Sequence, residues 1–288
     1  MAEIKVLGVV GAGQMGNGIS QVAAQSGIDV ICTDVNQGAL DKARDTVKGS
    51  LGRLVKKEKL TQAQADEALK RITFTADLQK LSGADLVVEA ATENEKLKKT
   101  IFDQLDKIAR PGVILATNTS SISVTRLAAG TSRPERFIGM HFMNPVPMMQ
   151  LVEIIRGLVT SDETYAATKA LAEKMGKTVT TSKDLPGFIA NRLLMPMINE
   201  AFCALEQGLS TAEDIDTTMK LGMNHPMGPL ALADLIGLDT CLAIMEVLHT
   251  QFGDSKYRPN TLLRQYVDAG LLGRKSHRGV YRYDDAKK

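Results

Sequence analysis

Two polar side chains in neighbouring apolar segments of this sequence could together carry proton transfer. His141 lies near the end of "RFIGMHF" (136–142), and Glu153 lies in the next run, "LVEIIRG" (151–157). The connection "NPVPMMQ" contains two prolines, which stiffen it and could place the two segments side by side. A glutamate bonded to the imidazole would fix its tautomer and stabilise its charged form, giving a general base for an alcohol or a general acid for a ketone. In a simpler interpretation, His141 is half-buried before a loop and Glu153 is a surface carboxylate.

A hydroxyl group and an amide group could add to such a site. The segment "ATNTSSIS" (116–123) follows a strand-like run at the end where parallel sheets bind ligands, so the Ser120 hydroxyl could point towards a ligand. Ser121 or Ser123 could cap the helix that is predicted to follow. Asn191, in "GFIANR", could cap a helix or contact a ligand. Position in the sequence leaves these alternatives open.

The segment "GAGQMG" has the spacing of a dinucleotide-binding turn. Gly11 permits a tight turn, Gly13 lets a pyrophosphate approach the backbone, and Gly16 allows close packing of the following helix. Asp34 ends the next predicted strand, where a carboxylate can bond ribose hydroxyls and repel a 2′-phosphate. Since no arginine stands beside it in "DVNQGA", the pattern favours NAD over NADP. A glycine turn without a ligand is the simpler alternative.

The elements that must position these residues alternate between strand and helix. Eight segments read as strands, and several are almost continuously apolar, as in a sheet covered on both faces: 4–10, 29–34, 71–75, 84–90, 112–117, 136–142, 151–157 and 177–181. Helical patterns between them, and a helix at 161–175, predict a Rossmann-like, doubly wound α/β domain. Residues 37–70 are longer than a crossover requires and predict a helical hairpin, an arm that projects from the sheet.

The pattern changes after the turn residues 182–188, beyond which helical pattern dominates. We therefore predict an NAD-binding domain at 1–184 and a smaller all-helical domain at 185–288. Pro196 implies a kink in the first helix of the second domain. Ser210 and Glu213 have the spacing of a capping box for a later helix.

The composition excludes several classes of protein. The 288 residues are 44% apolar and 24% charged, with a net charge of +2 and 4% aromatic residues, which is typical of a globular protein without a nucleic-acid surface. Three scattered cysteines, Cys32, Cys203 and Cys241, argue against a disulfide framework and a cysteine metal site. The start "MAEIKVLGVVGAG" does not resemble a cleaved signal, and no run of about 18 apolar residues is present. We expect a soluble cytoplasmic protein without a metal or membrane partner.

Seven motifs together resemble the 3-hydroxyacyl-CoA dehydrogenase family, and most of all its short bacterial 3-hydroxybutyryl-CoA branch. They run from end to end of the chain: "GAGQMG", "VVEAATEN", "TNTSS", "GMHFMNPV", "LVEIIRG", "LPGFIANRLL" and "HPMGPLALADLIGLDT". The resemblance implies an NAD-binding domain, a helical domain used for dimerisation, and a cleft between them. It also implies reversible oxidation of (S)-3-hydroxyacyl-CoA, such as 3-hydroxybutanoyl-CoA, to the 3-oxoacyl-CoA. Met143 departs from the family, which usually has Phe there, and this bears on the shape of the cleft.

Roles for individual residues follow from the resemblance. His141 would be the base that takes the hydroxyl proton, Glu153 its orienting partner, Ser120 a hydrogen-bond partner of the reacting oxygen, and Asn191 a substrate ligand. The arm would contact coenzyme A, chiefly through Ser50 and Lys57, although "KKEK" (56–59) also reads as a solvated helix face. The residues implied at the cofactor are Gly11, Gly13, Gly16, Gln14, Met15, Asp34, Ala90, Glu93, Lys98 and Asn144.

Two other functions fit parts of the sequence. One is an oxidoreductase of similar build that acts on a free 3-hydroxy acid or a sugar acid, for which Lys183 could be the base. The other is a non-catalytic protein that binds nucleotide for regulation or structure. The motifs that contain His141 and Glu153 favour the acyl-CoA enzyme over both.

Overall fold

Eight β-strands and eleven α-helices form the regular structure of residues 3–283, the part of the chain described by this computed structural model. The chain divides into two compact units, Met1–Leu185 and Pro186–Lys288. The first unit contains the strands and six of the helices, and the second contains the other five helices. The predicted fold class, a Rossmann-like sheet followed by a helical domain, is confirmed. Within residues 3–283, no helix is long and apolar enough to cross a membrane.

The strands of the first unit form one sheet, and each overlaps a predicted segment. They are β1 (Val6–Val10), β2 (Asp29–Thr33), β3 (Ile72–Thr75), β4 (Leu86–Glu89), β5 (Ile114–Thr117), β6 (Phe137–Phe142), β7 (Leu151–Arg156) and β8 (Thr178–Lys183). Their order is β3-β2-β1-β4-β5-β6-β7-β8. Neighbours are parallel except for the antiparallel pair β6–β7. Because β7 runs back from the carboxyl end of β6, its first residues lie at the ligand-binding edge of the sheet.

Six helices connect the strands, and polar caps start most of them. They are α1 (Gln14–Gln25), α2 (Gln37–Lys56), α3 (Gln62–Lys70), α4 (Glu95–Ile108), α5 (Val124–Ala128) and α6 (Asp162–Lys174). The side chains of Asn36 and Asn94 accept backbone bonds in the first turns of α2 and α4. Of the two serines predicted as alternatives, Ser123 caps α5, by accepting a bond from the Arg126 N–H.

Helices cover both faces of the sheet, which explains why its central strands are apolar along their length. Strand β6 is buried at every position. Ile138 and Met140 belong to the core cluster that includes α1, α2 and α6. On the opposite face, Phe137 makes an edge-to-face contact with Phe102 of α4, with ring centroids 4.6 Å apart. A strand packed on both faces in this way holds its terminal side chains in fixed positions.

The predicted arm consists of α2 and α3. The apolar face of α2 joins the core of the first unit through Leu40, Ala43, Val47 and Leu51. Thr61 and Gln64 form a capping box that starts α3. The arm therefore lies against the unit for most of its length, and it extends into solvent at its far end, residues 56–59, where the side chains are exposed.

The second unit is a cluster of helices around an apolar core. They are α7 (Ala190–Glu206), α8 (Ala212–Thr217) with a π-helical turn (Thr218–Gly222), α9 (Pro229–Ile236), α10 (Leu238–Phe252) and α11 (Thr261–Asp268). Met195, Phe202 and Met245 are among the buried side chains of this core. The predicted cap of α8 was wrong by one residue, since Thr211 accepts the bond from the Asp214 N–H where Ser210 and Glu213 were expected.

Candidate active site

The glycine motif forms the turn between β1 and α1. Gly11 has a φ of +101°, and a Cβ there would lie 2.7 Å from the Ala90 carbonyl oxygen. At Gly16 a Cβ would collide with the carbonyl oxygen of Gly11. Around Gly13, none of the described atoms outside its immediate neighbours lies within 4 Å of the place a Cβ would take. The protein's own packing therefore requires two of the glycines, and the third borders space in which a pyrophosphate could approach the backbone.

The start of α1 is suited to an anion. Among the residues that the structure describes, no side chain caps this helix, so its first N–H groups can bind phosphate oxygens. Gln14 is exposed in this turn and Met15 is half-buried. Both stand in the first turn of α1, directly after Gly13.

A cavity of about 460 Å³ adjoins this turn, and its chemistry suits the adenosine half of NAD. Asp34 lines it from the end of β2, while Leu97 and Ile101 of α4 give it an apolar wall. The Asp34 carboxylate accepts bonds from the N–H groups of Ala12, at 2.8 Å, and Asn36, at 2.9 Å. These bonds aim a carboxylate into the cavity, where it can bond ribose hydroxyls, and the apolar wall can receive the adenine ring.

His141, Glu153 and Ser120 come together at the carboxyl edge of the sheet. His141 and Glu153 are register partners on β6 and β7, and His141 Nδ1 lies 2.8 Å from Glu153 Oε2. On the other side of the ring, Nε2 lies 3.2 Å from Ser120 Oγ. His141 is 6% exposed and Glu153 1% exposed. The imidazole thus has one nitrogen held by a buried carboxylate and the other beside a hydroxyl, an arrangement that can support general acid–base chemistry.

Glu93 holds the segment that carries Ser120. Its Oε1 atom accepts bonds from Thr119 Oγ1 at 2.5 Å, from the Ser120 N–H at 2.9 Å, and from the N–H and hydroxyl of Ser121 at 3.0 Å. Burial raises the pKa of Glu93, but the Lys98 ammonium and these hydrogen bonds outweigh burial and hold the pKa below its ordinary value. Glu93 is therefore an ionised carboxylate, and its hydrogen bonds fix the turn after β5.

Lys98, one of the residues predicted at the cofactor, has its ammonium group enclosed by the protein. The side chain is 0% exposed, and its Nζ lies 2.7 Å from Glu89 Oε1, a carboxylate that is also 0% exposed. Lys98 Nζ is also 3.5 Å from Glu93 Oε2. Lys98 therefore contacts two carboxylates, Glu89 and Glu93, and its amine is not exposed to solvent.

The loop after β6 carries Asn144, and a buried lysine binds two of the loop's carbonyl groups. Asn144 is exposed, whereas Val146 is buried where a Cβ on Gly18 of α1 would touch it. Lys177 Nζ donates to the carbonyl oxygens of Val146, at 2.6 Å, and Met149, at 2.8 Å. Burial lowers the pKa of Lys177. The part of the loop that follows Asn144 is therefore tied to the first unit.

The remaining predicted residues lie elsewhere in the described chain. Ala90 lines the cavity with Asp34. Ser50 is half-buried within α2, and Lys57 is exposed at the end of that helix, so both belong to the arm. Asn191 is buried in the first turn of α7, in the second unit.

Several residues that shape the site were not predicted from the sequence. Glu89, Thr117 and Asp184 are the clearest: the first two are buried together, and Asp184 accepts bonds from the Ser123 hydroxyl and the Val124 and Thr125 N–H groups. A charged residue that ends an apolar strand, as in "LVVE", was the available signal for Glu89. For Lys177 and Asp184 the sequence carried no signal, because their partners are about 30 and 60 residues away.

Comparisons with known proteins agree with this geometry. The model for the 3-hydroxyacyl-CoA dehydrogenase NAD-binding domain matches residues 6–185, and the model for that family's C-terminal domain matches residues 187–283. The chain is 59% identical over 276 residues to a probable 3-hydroxybutyryl-CoA dehydrogenase of Deinococcus radiodurans, which covers 96% of this chain and 99% of the relative. It is 55% identical over 286 residues to the 3-hydroxybutyryl-CoA dehydrogenase of Bradyrhizobium diazoefficiens, and that alignment covers 99% of this chain and 98% of the relative.

A solved structure gives the same result for the fold. The crystal structure of (S)-3-hydroxybutyryl-CoA dehydrogenase from Ralstonia eutropha superposes with a TM-score of 0.96 at 57% sequence identity, covering 98% of this chain and all of that one. Both family models together span nearly all of the described residues. This chain belongs to the 3-hydroxyacyl-CoA dehydrogenase family, and its first unit is that family's NAD-binding domain.

Proposed function

We propose that this protein is an NAD-dependent 3-hydroxybutyryl-CoA dehydrogenase, which interconverts (S)-3-hydroxybutanoyl-CoA and acetoacetyl-CoA. The observation that carries the proposal is the arrangement of Glu153, His141 and Ser120 beside a dinucleotide-binding turn, in a chain of this family. The relatives named 3-hydroxybutyryl-CoA dehydrogenase support the choice of substrate, since they align over nearly their full length.

The chain's own residues would move the proton of the reaction. Bound NAD supplies the acceptor for the hydride that leaves C3 of the substrate. His141 Nε2 would take the proton of the C3 hydroxyl during oxidation and return it during reduction. Ser120 Oγ lies close enough to Nε2 for both groups to bond the same substrate oxygen. The Glu153 carboxylate at Nδ1 would stabilise the imidazolium that forms.

The cofactor would lie along the edge formed by the glycine turn, Asp34 and the loop that carries Asn144. Gly13 leaves room for the pyrophosphate and α1 offers its N–H groups, as described above. A carboxylate at Asp34 favours NAD, because it would repel the 2′-phosphate of NADP. Gln14, Met15, Ala90 and Glu93 complete the proposed cofactor set.

Three further residues are proposed to bind the acyl-CoA substrate. Asn191 is proposed to bind the substrate, and Ser50 and Lys57 of the arm to contact coenzyme A. The exposed ammonium of Lys57 suits a phosphate group. We further propose that the protein is a homodimer formed through its helical unit, and that it works in the cytoplasm, where NAD and acyl-CoA thioesters are available.

The proposal is tested by following NADH consumption with acetoacetyl-CoA. Parallel reactions contain NADPH in place of NADH, or free acetoacetate in place of the thioester. We expect rapid loss of NADH with the thioester and much slower reactions in the two controls. Turnover of free acetoacetate at the same rate would favour an enzyme that acts on free acids, and no turnover with any pair would refute the proposal.

A further inference from the structure

A fully buried ion pair lies beneath the site and has no role in the reaction described so far. Glu89 is the last residue of β4, and Lys98 lies near the start of α4. Both side chains are 0% exposed, and Lys98 Nζ lies 2.7 Å from Oε1 and 2.9 Å from Oε2 of Glu89. Burial of two charges is expensive, and apolar residues of similar volume are often as stable. The stability of the fold alone therefore does not explain the pair.

The carboxylate of Glu89 is held by three elements. Thr117, its register partner on β5, donates its hydroxyl to Oε2 at 2.7 Å. The Ala91 N–H, in the loop after β4, donates to Oε1 at 2.7 Å. Together with Lys98 of α4, these bonds fix the carboxylate at the edge of the sheet, and the ammonium is fixed with it.

From this position the ammonium faces a second carboxylate. Lys98 Nζ lies 3.5 Å from Glu93 Oε2 and 3.4 Å from the Ala91 carbonyl oxygen. The other oxygen of Glu93, Oε1, is the atom that accepts bonds from Thr119, Ser120 and Ser121. Lys98 therefore attracts one oxygen of Glu93 and leaves the other turned towards the segment that holds Ser120.

We propose that Glu89 and Lys98 are positioning residues, which orient the Glu93 carboxylate so that Ser120 Oγ stays beside His141 Nε2. The proposal rests on the function proposed above, because Ser120 and His141 are the groups that would bond the substrate oxygen. It assigns Lys98 an effect through Glu93 rather than a direct contact with the cofactor. Glu89, which lies in the motif "VVEAATEN" but has no role implied by the resemblance, becomes the anchor of the arrangement.

The test compares Glu89→Gln, Lys98→Met and the double variant Glu89→Gln/Lys98→Met. Each single variant leaves one buried charge without its nearest partner, so we expect a lower Tm and a lower kcat. The double variant removes both charges and should recover most of the Tm. We expect its kcat for acetoacetyl-CoA reduction to stay about 10- to 100-fold below wild type, because Ser120 is no longer held in place.

The matched control is Arg133→Met. It breaks another poorly exposed ion pair of the first unit, between Arg133 Nε and Asp106 Oδ1 at 2.7 Å, near the other end of α4. This variant should lower Tm and leave kcat unchanged. A double variant whose kcat recovers together with its Tm would overturn the proposal, because the pair would then serve stability alone.

Two further measurements keep the result decisive. If the double variant does not fold, Thr117→Val removes one bond to Glu89 without leaving a charge unpaired, and we expect kcat to fall about 3- to 10-fold. Unchanged kcat in that variant would overturn the proposal.

A crystal structure provides a readout that does not depend on the choice of substrate. It would be determined for the double variant, or for Thr117→Val if the double variant does not fold. We expect Ser120 Oγ to have moved beyond hydrogen-bonding distance of His141, and an unmoved Ser120 would refute the inference. Failure of the proposed function, in contrast, would appear as an inactive wild type.

Discussion

His141 and Glu153 face each other across the antiparallel strands β6 and β7, with 2.8 Å between Nδ1 and Oε2. Register partners on antiparallel strands project to the same face of the sheet, so the backbone pairing itself brings the two side chains together. Since β7 starts at the carboxyl edge of β6, the pair lies at the edge where such sheets bind ligands. If β7 ran parallel to β6, the chain would need a long crossover connection before Glu153 could lie beside His141.

His141→Ala should lower kcat for acetoacetyl-CoA reduction by about 10²–10⁴-fold, because the reaction loses its general acid–base group. The Kd for NADH, measured by fluorescence titration, should change little, since the glycine turn and Asp34 are untouched. His277→Asn is a suitable control: His277 is exposed, and its φ of +58° is one that asparagine tolerates. Turnover near the wild-type rate in His141→Ala would contradict the assignment.

Glu153→Gln should lower kcat while KM for the thioester changes little. Glutamine has the size of glutamate but lacks the charge that stabilises the imidazolium, so we expect a loss of at least about 10²-fold. The side chain is 1% exposed, and a thermal melt should accompany the kinetics to exclude unfolding. Glu173→Gln, which changes an exposed glutamate of α6, provides the control. Equal kcat values in the two variants would argue that Glu153 has no part in proton transfer.

Substitutions at two glycines of the turn should affect folding and cofactor binding separately. Gly13→Ala adds a methyl group where the described residues leave open space, so Tm should stay near wild type while KM for NADH rises about tenfold. In Gly16→Ala the new Cβ would collide with the Gly11 carbonyl, and we expect a destabilisation of about 1–3 kcal/mol. Thermal melts and NADH titrations of both variants test this difference. The reverse result, an unstable Gly13→Ala with unchanged KM, would contradict the proposed path of the cofactor.

Much of the fold could be predicted because its signals are local. Apolar runs such as "LVVE" and "FIGMHF" mark buried strands, and the glycine spacing marks one turn. The proximity of His141 and Glu153 was also predictable, because a short, proline-containing connection between two strands leaves few ways to arrange them. Their chemical roles remain predictions.

The environment of the charged groups could not be predicted in the same way. A lysine in "ENEKLKK" resembles a solvated helix residue, and only the folded chain reveals that Lys98 is enclosed beside Glu89. Asp184 caps α5 from the end of β8, about 60 residues further along the chain. Such pairings depend on the packing of distant elements, which residue spacing does not encode. The prediction of the α8 cap was wrong for a local reason. Ser210 and Thr211 are both good caps, and residue spacing does not choose between them.

The stability contributed by Glu93 should depend on pH. Its pKa in the folded protein is below the ordinary value of glutamate, which is about 4.3. A carboxylate with a lowered pKa stabilises the fold above its unfolded pKa, and this contribution is lost as the pH falls through the folded pKa. Wild type should therefore have a higher Tm than Glu93→Gln above about pH 5, and the difference should shrink below about pH 4. A difference that persists unchanged at pH 3 would contradict this account.

Lys177→Met should weaken the loop that carries Asn144. Methionine keeps the length of the side chain but cannot donate to the carbonyl oxygens of Val146 and Met149, so we expect a loss of stability of about 1–3 kcal/mol. Because Asn144 is proposed to contact the cofactor, KM for NADH should rise more than KM for acetoacetyl-CoA. Lys174→Met, three residues away and paired with Glu3 at the surface, should change neither KM. If Lys177→Met lowered Tm but left KM for NADH unchanged, the loop would be held for stability alone, and Asn144 would have no place at the cofactor.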